Sequence, residues 1–216
     1  LPQIVAGSCD DRFGDKLFTT PLQSVNYVEC HDNHTLWDRL LLSNPKATTL
    51  DRKRMHQLAT GITILSQGIP FIHAGQEFYR TKHGDENSYI SGDDINQIDW
   101  DQRGIENENI LWVRSLLALR KEYWLFRLDS AMEIKNRLHI ILTPHPVFGY
   151  MLMGEQEDFA IFVNPTNEDG EIEMPASGRW EKLLSNYSSF TPISCLNQTK
   201  TKIHAYEIVV WKKTRA

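Results

Sequence analysis

The chain has 216 residues, 41% of them hydrophobic and 24% charged, a balance typical of a globular protein with one large or two modest domains. Its 23 basic and 28 acidic residues leave a formal net charge of −5, which argues against a nucleic-acid partner, because such binding needs clustered lysine and arginine. No apolar run approaches the roughly 20 residues of a membrane span, so we expect no membrane partner.

The cysteines indicate a compartment but no metal site. Cys9, Cys30 and Cys195 show neither a disulfide framework nor metal-ligand spacing. An odd number of cysteines without a framework indicates either a reducing compartment or a protein that is indifferent to its compartment, and of the two localisations we expect a cytoplasmic rather than a secreted protein. Cys30 lies in an apolar stretch, which predicts a small buried thiol. We expect no cofactor and no metal.

The first predicted strand covers residues 24–30, which are rich in strand-forming side chains. It leads directly into a polar cluster, His31-Asp32-Asn33-His34. A helix is predicted from about residue 51 to 67, with Asp51 as its N-cap and Gly68 just past its end. Its predicted apolar stripe consists of Met55, Leu58, Ile62 and Leu65.

A second strand is predicted over residues 69–74 and is ended by Gly75. A polar loop follows over about residues 80–103, and a second helix over about residues 108–123. This order predicts a parallel βαβα unit with a right-handed crossover. Each predicted strand is followed by a polar loop, and in a (β/α)₈ barrel such loops at the C-terminal strand ends build the active site.

The pattern changes after residue 128 to short strand-like runs separated by turn signals, which predicts an antiparallel sandwich. We place the domain boundary near Asp129, giving domains 1–129 and 130–216. Trp180 and Trp211 are predicted to be core residues rather than sugar-stacking ones. The predicted strands are residues 139–142, 149–153, 159–163, 171–174 and 207–211.

The polar cluster at residues 31–34 suggests a reaction on a sugar. A carboxylate at the end of a barrel strand can face an oxocarbenium-like transition state, and a neighbouring imidazole and amide can hold sugar hydroxyls. On spacing alone, an ordinary loop whose polar residues help the chain turn remains open. His73 and Glu77 lie four residues apart, but a strand end followed by glycine is not a helix face, so we predict no metal there. Glu77 is predicted to be a buried hydrogen-bonding residue that supports the loop.

Three stretches, residues 27–38, 68–78 and 85–100, resemble the alpha-amylase superfamily in the form found in type I pullulanases. They resemble the seventh strand, the eighth strand and the loop that follows it. The resemblance implies the last two βα units of a (β/α)₈ TIM barrel followed by an antiparallel β-sandwich. It implies that Asp32 is a catalytic carboxylate and that His31 binds sugar hydroxyls. We also expect Asn33, Asn87 and Asn96 to bind substrate. Asn87 and Asn96 could equally cap turns, and Ile90 and Gly92 depart from the commoner Asn and Pro of this loop.

In such retaining hydrolases a nucleophile and a general acid stand about 5–5.5 Å apart. The resemblance puts them after strands four and five, upstream of Leu1, so the chain by itself is expected to be inactive. The implied parent cleaves α-1,6 branch linkages in pullulan, glycogen or starch-derived glucans. Its implied partners are the α-glucan substrate and the missing N-terminal part of the same enzyme. The alternative is a non-catalytic carbohydrate-binding or interaction module that kept the polar cluster as a relic.

Overall fold

The computed structural model describes residues 1–187, 195–197 and 199–215. It combines helices with antiparallel sheet, and several single turns of 3₁₀ helix join the elements. The helices are α1 (Pro2–Val5), α2 (Leu36–Ser43), α3 (Thr49–Leu65), α4 (Asp93–Asn96), α5 (Trp100–Ile105), α6 (Asn107–Glu122) and α7 (Ala131–Arg137). The strands are β1 (Val25–Asn26), β2 (Ile69–Pro70), β3 (Leu138–Ile141), β4 (Phe148–Met153), β5 (Glu157–Val163), β6 (Gly170–Glu173), β7 (Trp180–Ser185), β8 (Cys195–Leu196), β9 (Lys200–Ile203) and β10 (Ile208–Thr214).

The two strands of the first half pair in parallel, with Val25 opposite Ile69 and Asn26 opposite Pro70. The parallel pairing agrees with the expected strand–helix–strand order. Both strands are much shorter than predicted, however, because each pairs only with the other among the described residues and no second neighbour extends the ladder.

Helix α3 begins at Thr49, two residues earlier than predicted, and its N-cap lies three residues earlier. Thr48 is its N-cap, since the Thr48 hydroxyl oxygen accepts the Asp51 backbone N–H at 3.1 Å and its hydroxyl donates to the Asp51 carboxylate at 2.7 Å. The prediction that Asp51 is the N-cap was therefore wrong, and Asp51 lies in the first turn of the helix instead. Leu58 and Leu65 are buried as expected, but the buried positions of α3 also include polar side chains. These are Arg52, His56, Thr60 and Thr63.

Arg120 of α6 joins α3, β2 and α6. Its Nη1 donates to the carbonyl oxygens of Ile64 at 2.9 Å, Ser66 at 2.8 Å and Phe126 at 2.5 Å, and its Nη2 donates to Gly68 at 2.5 Å. Burial lowers the pKa of Arg120 to about 10. The guanidinium lies where the last carbonyls of α3 concentrate partial negative charge, and it thereby ends the helix and fixes the turn into β2.

Strands β3, β4, β5, β10, β7 and β8 form one antiparallel sheet in that order, and β6 pairs with β9 in a second. Alternate side chains of the large sheet point to opposite faces. One set, including Phe159 and Ile161, packs with α3 and α6, and the other set, including Phe162, packs with residues of β6 and β9. Trp180 and Trp211 lie in this second cluster at 0% and 3% exposure, so their predicted core role is confirmed.

The five strands predicted after residue 128 correspond to β3, β4, β5, β6 and β10, whereas β7, β8 and β9 were missed. In β7, Glu181 and Lys182 break the apolar alternation, and its register with β10 shifts between Val210 and Trp211. The helix-side cluster draws on residues before and after Asp129, and the domain boundary there stays a prediction. None of the helices in the described ranges is long and apolar enough to cross a membrane.

Replacing Arg120 by leucine should lower the free energy of unfolding by at least about 3 kcal/mol, because several buried carbonyls lose their donor at once. Urea denaturation followed by circular dichroism measures this change. Arg114→Leu is the matched control, since Arg114 is exposed on the same helix. Equal losses for the two variants would contradict the role given to Arg120.

His56 should make stability depend on pH. Its ring is 1% exposed, neither ring nitrogen has a hydrogen-bond partner, and burial lowers its pKa to about 3. The unfolded chain therefore binds a proton below about pH 6.5 that the folded chain excludes. The stability that His56 contributes is present above that pH and falls by roughly 2 kcal/mol between pH 7 and pH 5.

The measurement is the free energy of unfolding of the wild type minus that of His56→Phe across this pH range. Phenylalanine preserves the edge contact with Tyr79, whose ring centroid lies 4.8 Å away, and does not titrate. If the difference in free energy of unfolding between the two proteins stays constant with pH, the folded chain does not exclude a proton from the His56 ring.

Candidate functional site

The polar cluster stands on a loop that a buried carboxylate organises. Glu29, 4% exposed, accepts the backbone N–H of Leu36 through Oε2, and its Oε1 lies 3.4 Å from Nδ1 of His73. Thr35 caps the following helix by accepting the Asp38 N–H at 3.2 Å. The path from β1 into α2 is therefore held at both its start and its end.

After the two parallel strands, Glu29, His73 and Arg80 lie next to one another in that order. Nη1 of Arg80 lies 3.4 Å from Nε2 of His73 and donates to the Ala74 carbonyl at 3.1 Å. Arginine can only donate, so Nε2 of His73 is the acceptor and its proton sits on Nδ1, facing Glu29. Glu77 accepts the Gly75 N–H at 3.1 Å and so supports the loop as predicted, but it is half-buried rather than buried.

Lys82 braces the cluster from beneath. Asp38, 2% exposed, accepts the Thr81 hydroxyl at 2.5 Å and the Lys82 backbone N–H at 2.7 Å. The Lys82 ammonium, itself in a residue 2% exposed, donates to the carbonyl oxygen of His31 at 2.7 Å. The buried Lys82 ammonium, whose own backbone is held by Asp38, thus fixes the backbone that carries the predicted site.

His31 and Asp32 point away from that support. Their side chains are 83% and 70% exposed, and Nε2 of His31 lies 3.2 Å from Oδ2 of Asp32. Asn33 is exposed as well, and its φ of +62° turns the chain sharply through the left-handed region. Cys30, predicted to be buried, is half-buried, because the loop leaves the sheet before residue 30 and the core does not close over the thiol. The exposed carboxylate and imidazole can accept and donate hydrogen bonds to an incoming ligand.

The second polar loop is ordered by its own side chains. Asp85 accepts the Ser91 hydroxyl and, at 2.9 Å, the Asn87 N–H, and these bonds hold its pKa below the ordinary value. The Asn87 side chain is exposed. The amide nitrogen of Asn96 donates within the loop, at 2.6 Å to the Ser88 carbonyl and 3.1 Å to the Gly92 carbonyl. That arrangement is the turn-capping alternative, and it leaves only the side-chain oxygen of Asn96 for a sugar.

The two loops meet through His34 and Glu86, whose Nδ1 and Oε2 atoms lie 3.7 Å apart. The structure therefore brings His31, Asp32 and Asn33 together in one loop and holds the loop of Asn87 and Asn96 beside it. Their roles in catalysis and substrate binding stay predictions.

A cleft of about 610 Å³ lies elsewhere, bordered by Trp37, Tyr79 and Trp100 together with acidic residues of α4 and α5. None of the five predicted site residues lines it. Asp32 is exposed on a loop instead, where a ligand reaches it without entering that cleft.

Sequence reasoning missed the residues that position the cluster, namely Glu29, Asp38 and Lys82. The available signal was a charged residue inside an otherwise apolar strand and another in the first turn of a helix. Neither signal identifies a partner, because the bonds join residues 7 to 51 positions apart.

Comparison with known proteins finds pullulanases that match most of the chain. A curated pullulanase of Bacillus subtilis (strain 168) is 39% identical over 79% of this chain, and the chloroplastic pullulanase 1 of Arabidopsis thaliana is 46% identical over 88% of it. The chain spans about a quarter of the length of these two relatives, 24% and 23% respectively. No family model matches the chain.

A solved structure of the type I pullulanase from Bacillus subtilis str. 168, complexed with maltose, superposes with a TM-score of 0.93 at 32% identity. The superposition covers 99% of this chain and 30% of that one. The likeness therefore extends through both the helical half, which runs from α1 to α7 and includes β1 and β2, and the antiparallel half, which runs from β3 to β10.

Lys82→Met should loosen the loop that carries His31, because methionine keeps the apolar stem but cannot donate to the carbonyl. We expect faster hydrogen exchange over residues 30–36 without global unfolding. Hydrogen exchange with mass spectrometry measures it, and Lys46→Met, at an exposed lysine, is the control. Unchanged exchange in this segment would mean that Lys82 does not support the loop.

Proposed function

Because this chain belongs to the pullulanase family, we propose that it forms the C-terminal part of a retaining glycoside hydrolase that cleaves α-1,6 branch linkages in pullulan, glycogen or starch-derived glucans. The observation that carries the proposal is the Asp32 carboxylate, 70% exposed on a loop whose backbone is fixed from beneath by Lys82. Electrostatic stabilisation of a transition state requires a charged group held in a fixed position, and a fixed backbone beneath an accessible carboxylate provides this.

In the proposed reaction Asp32 faces the positive charge that develops on the sugar as the glycosidic bond breaks. His31, 3.2 Å from Asp32, and the exposed Asn33 supply hydrogen bonds to sugar hydroxyls. Asn87 and the side-chain oxygen of Asn96 would bind the glucan from the neighbouring loop. The nucleophile and general acid belong, in this proposal, to the rest of the enzyme.

We place β1 and β2, with α3 and α6, as the last two βα units of a (β/α)₈ barrel, followed by a β-sandwich domain. The exposed apolar side chains of this region support that placement. Val25 and Tyr27 are 52% and 57% exposed, and Ile69 and Phe71 are 45% and 43% exposed. Further barrel strands would cover these side chains and extend the two-residue ladder, so the proposed partner is the remainder of the same enzyme.

Asp32→Ala in the whole enzyme should lower turnover of pullulan by at least about 10²-fold, the cost of removing one preorganised stabilising group. Asp32→Asn should also be poor, because an amide does not oppose positive charge. Release of reducing sugar measures turnover, and circular dichroism checks the fold. Asp93→Asn, at an exposed acid of the neighbouring loop, is the matched control and should keep near-normal turnover.

The isolated chain, assayed in parallel, is expected to release no reducing sugar. Near-normal turnover by Asp32→Ala would overturn the role of Asp32. The non-catalytic binding module would be favoured instead by two results together. The isolated chain would bind maltotetraose, and the whole protein would not hydrolyse glucan.

A further inference from the structure

The loop after β1 brings together three different metal-ligating side chains. The thiol sulfur of Cys30, a ring nitrogen of His31 and a carboxylate oxygen of Asp32 all lie within 4.8 Å of one another. Only one of the three groups is a carboxylate, so the cluster differs from a chance group of surface carboxylates. A thiolate and an imidazole are ligands that zinc and copper prefer.

The spacing of these atoms is close to that of a tetrahedral zinc site. Bonds of about 2.3 Å to sulfur and about 2.0–2.2 Å to nitrogen and oxygen set neighbouring ligand atoms roughly 3.3–3.6 Å apart. His31 and Asp32 already stand at 3.2 Å. The thiol of Cys30 would have to approach by at most about 1.5 Å, which a rotation of its side chain supplies.

The backbone beneath the three ligands is already ordered. Lys82 holds the His31 carbonyl at 2.7 Å, and Glu29 holds the Leu36 amide seven residues further along. The ammonium of Lys82 contacts the main-chain oxygen, while a Cys30 thiolate and the Asp32 carboxylate together bring two negative charges to a cation. An ion would therefore meet ligands that need little reorganisation and carry net negative charge.

We propose that Cys30, His31 and Asp32 form a site for a thiophilic divalent cation of the Zn²⁺ class. Calcium and magnesium are excluded by chemistry, because they take six or more oxygen ligands and this set offers one carboxylate. Three protein ligands leave a fourth position for water. Binding releases the thiol proton to solvent and involves no redox step.

The site has a consequence that rests on the proposed function. A cation bound here occupies the Asp32 carboxylate and the His31 ring nitrogen, the groups assigned to the sugar. Metal occupancy and glucan cleavage therefore exclude one another, and Zn²⁺ acts as a reversible inhibitor of the enzyme. Cys30 makes this inhibition selective for thiophilic ions.

The first experiment titrates the purified chain with Zn²⁺ in competition with a chromophoric chelator, and with Co²⁺ followed by absorption. We expect one equivalent of Co²⁺ to give a thiolate-to-metal charge-transfer band. Cys30→Ser should abolish the band and weaken Zn²⁺ binding more than about tenfold, since loss of even an outer-shell partner costs ~10–100-fold. His31→Ala should weaken Zn²⁺ binding similarly.

Cys9→Ser is the matched control, because Cys9 is 2% exposed and donates to the Ala6 carbonyl, away from the loop. It should keep both the band and the affinity, as should Cys195→Ser. Wild-type affinity in Cys30→Ser, or loss of the band in Cys195→Ser, would overturn the site.

The second experiment measures inhibition of the whole enzyme by Zn²⁺ and its reversal by a chelator. Cys30→Ser should hydrolyse glucan like the wild type and need more than about tenfold more Zn²⁺ for half-inhibition. Equal inhibition of both proteins would refute the regulatory consequence. Absence of hydrolysis in the wild type would instead refute the proposed function and leave the metal-binding result standing, because that result needs no activity.

Discussion

The buried guanidinium of Arg120 is the interaction on which the arrangement of the helical half depends. It carries a full charge into the interior and satisfies it with main-chain carbonyls at the end of α3, at the turn into β2 and after α6. Helix ends leave carbonyls without partners, and a planar group with five donors can collect several at once. Because β2 starts at this turn, the same group also determines where the parallel strand pair and the loops beyond it begin.

A second layer of polar contacts converts that scaffold into a positioned site. Glu29, His73 and Arg80 connect the ends of the two parallel strands, while Asp38 and Lys82 reach back under His31. These charged groups are buried or half-buried and lie against one another, whereas the side chains of His31 and Asp32 are exposed. The separation explains how an accessible loop can hold a carboxylate in one place, since the groups that fix its backbone are not the groups that meet a ligand. The proposed cation site uses the same rigidity.

The antiparallel half supports the helical half through a shared core. The large sheet presents alternate side chains to α3 and α6 on one face and to the β6–β9 pair on the other. Gly61 of α3 shows how close the contact is, because an added Cβ there would lie 3.0 Å from the Ile208 side chain. The exposed apolar side chains of β1 and β2 contrast with this closed packing and mark the surface that the proposed remainder of the enzyme would cover.

The sequence by itself determined the elements whose signal is local. The positions of α3 and α6, the apolar runs of β4 and β5 and the polar cluster that follows β1 are all local features of the sequence. The resemblance of residues 27–38, 68–78 and 85–100 to pullulanases indicated the family. Only the tertiary structure decided the short length of β1, the exposure of Cys30, the use of the Asn96 amide inside its own loop and the partners of Glu29, Asp38, Lys82 and Arg120. Hydrophobic periodicity reports which face of an element is buried, but it carries no information about which distant group meets a buried charge. Those pairings are set by packing between elements far apart in the chain, and they are what gives the candidate site its geometry.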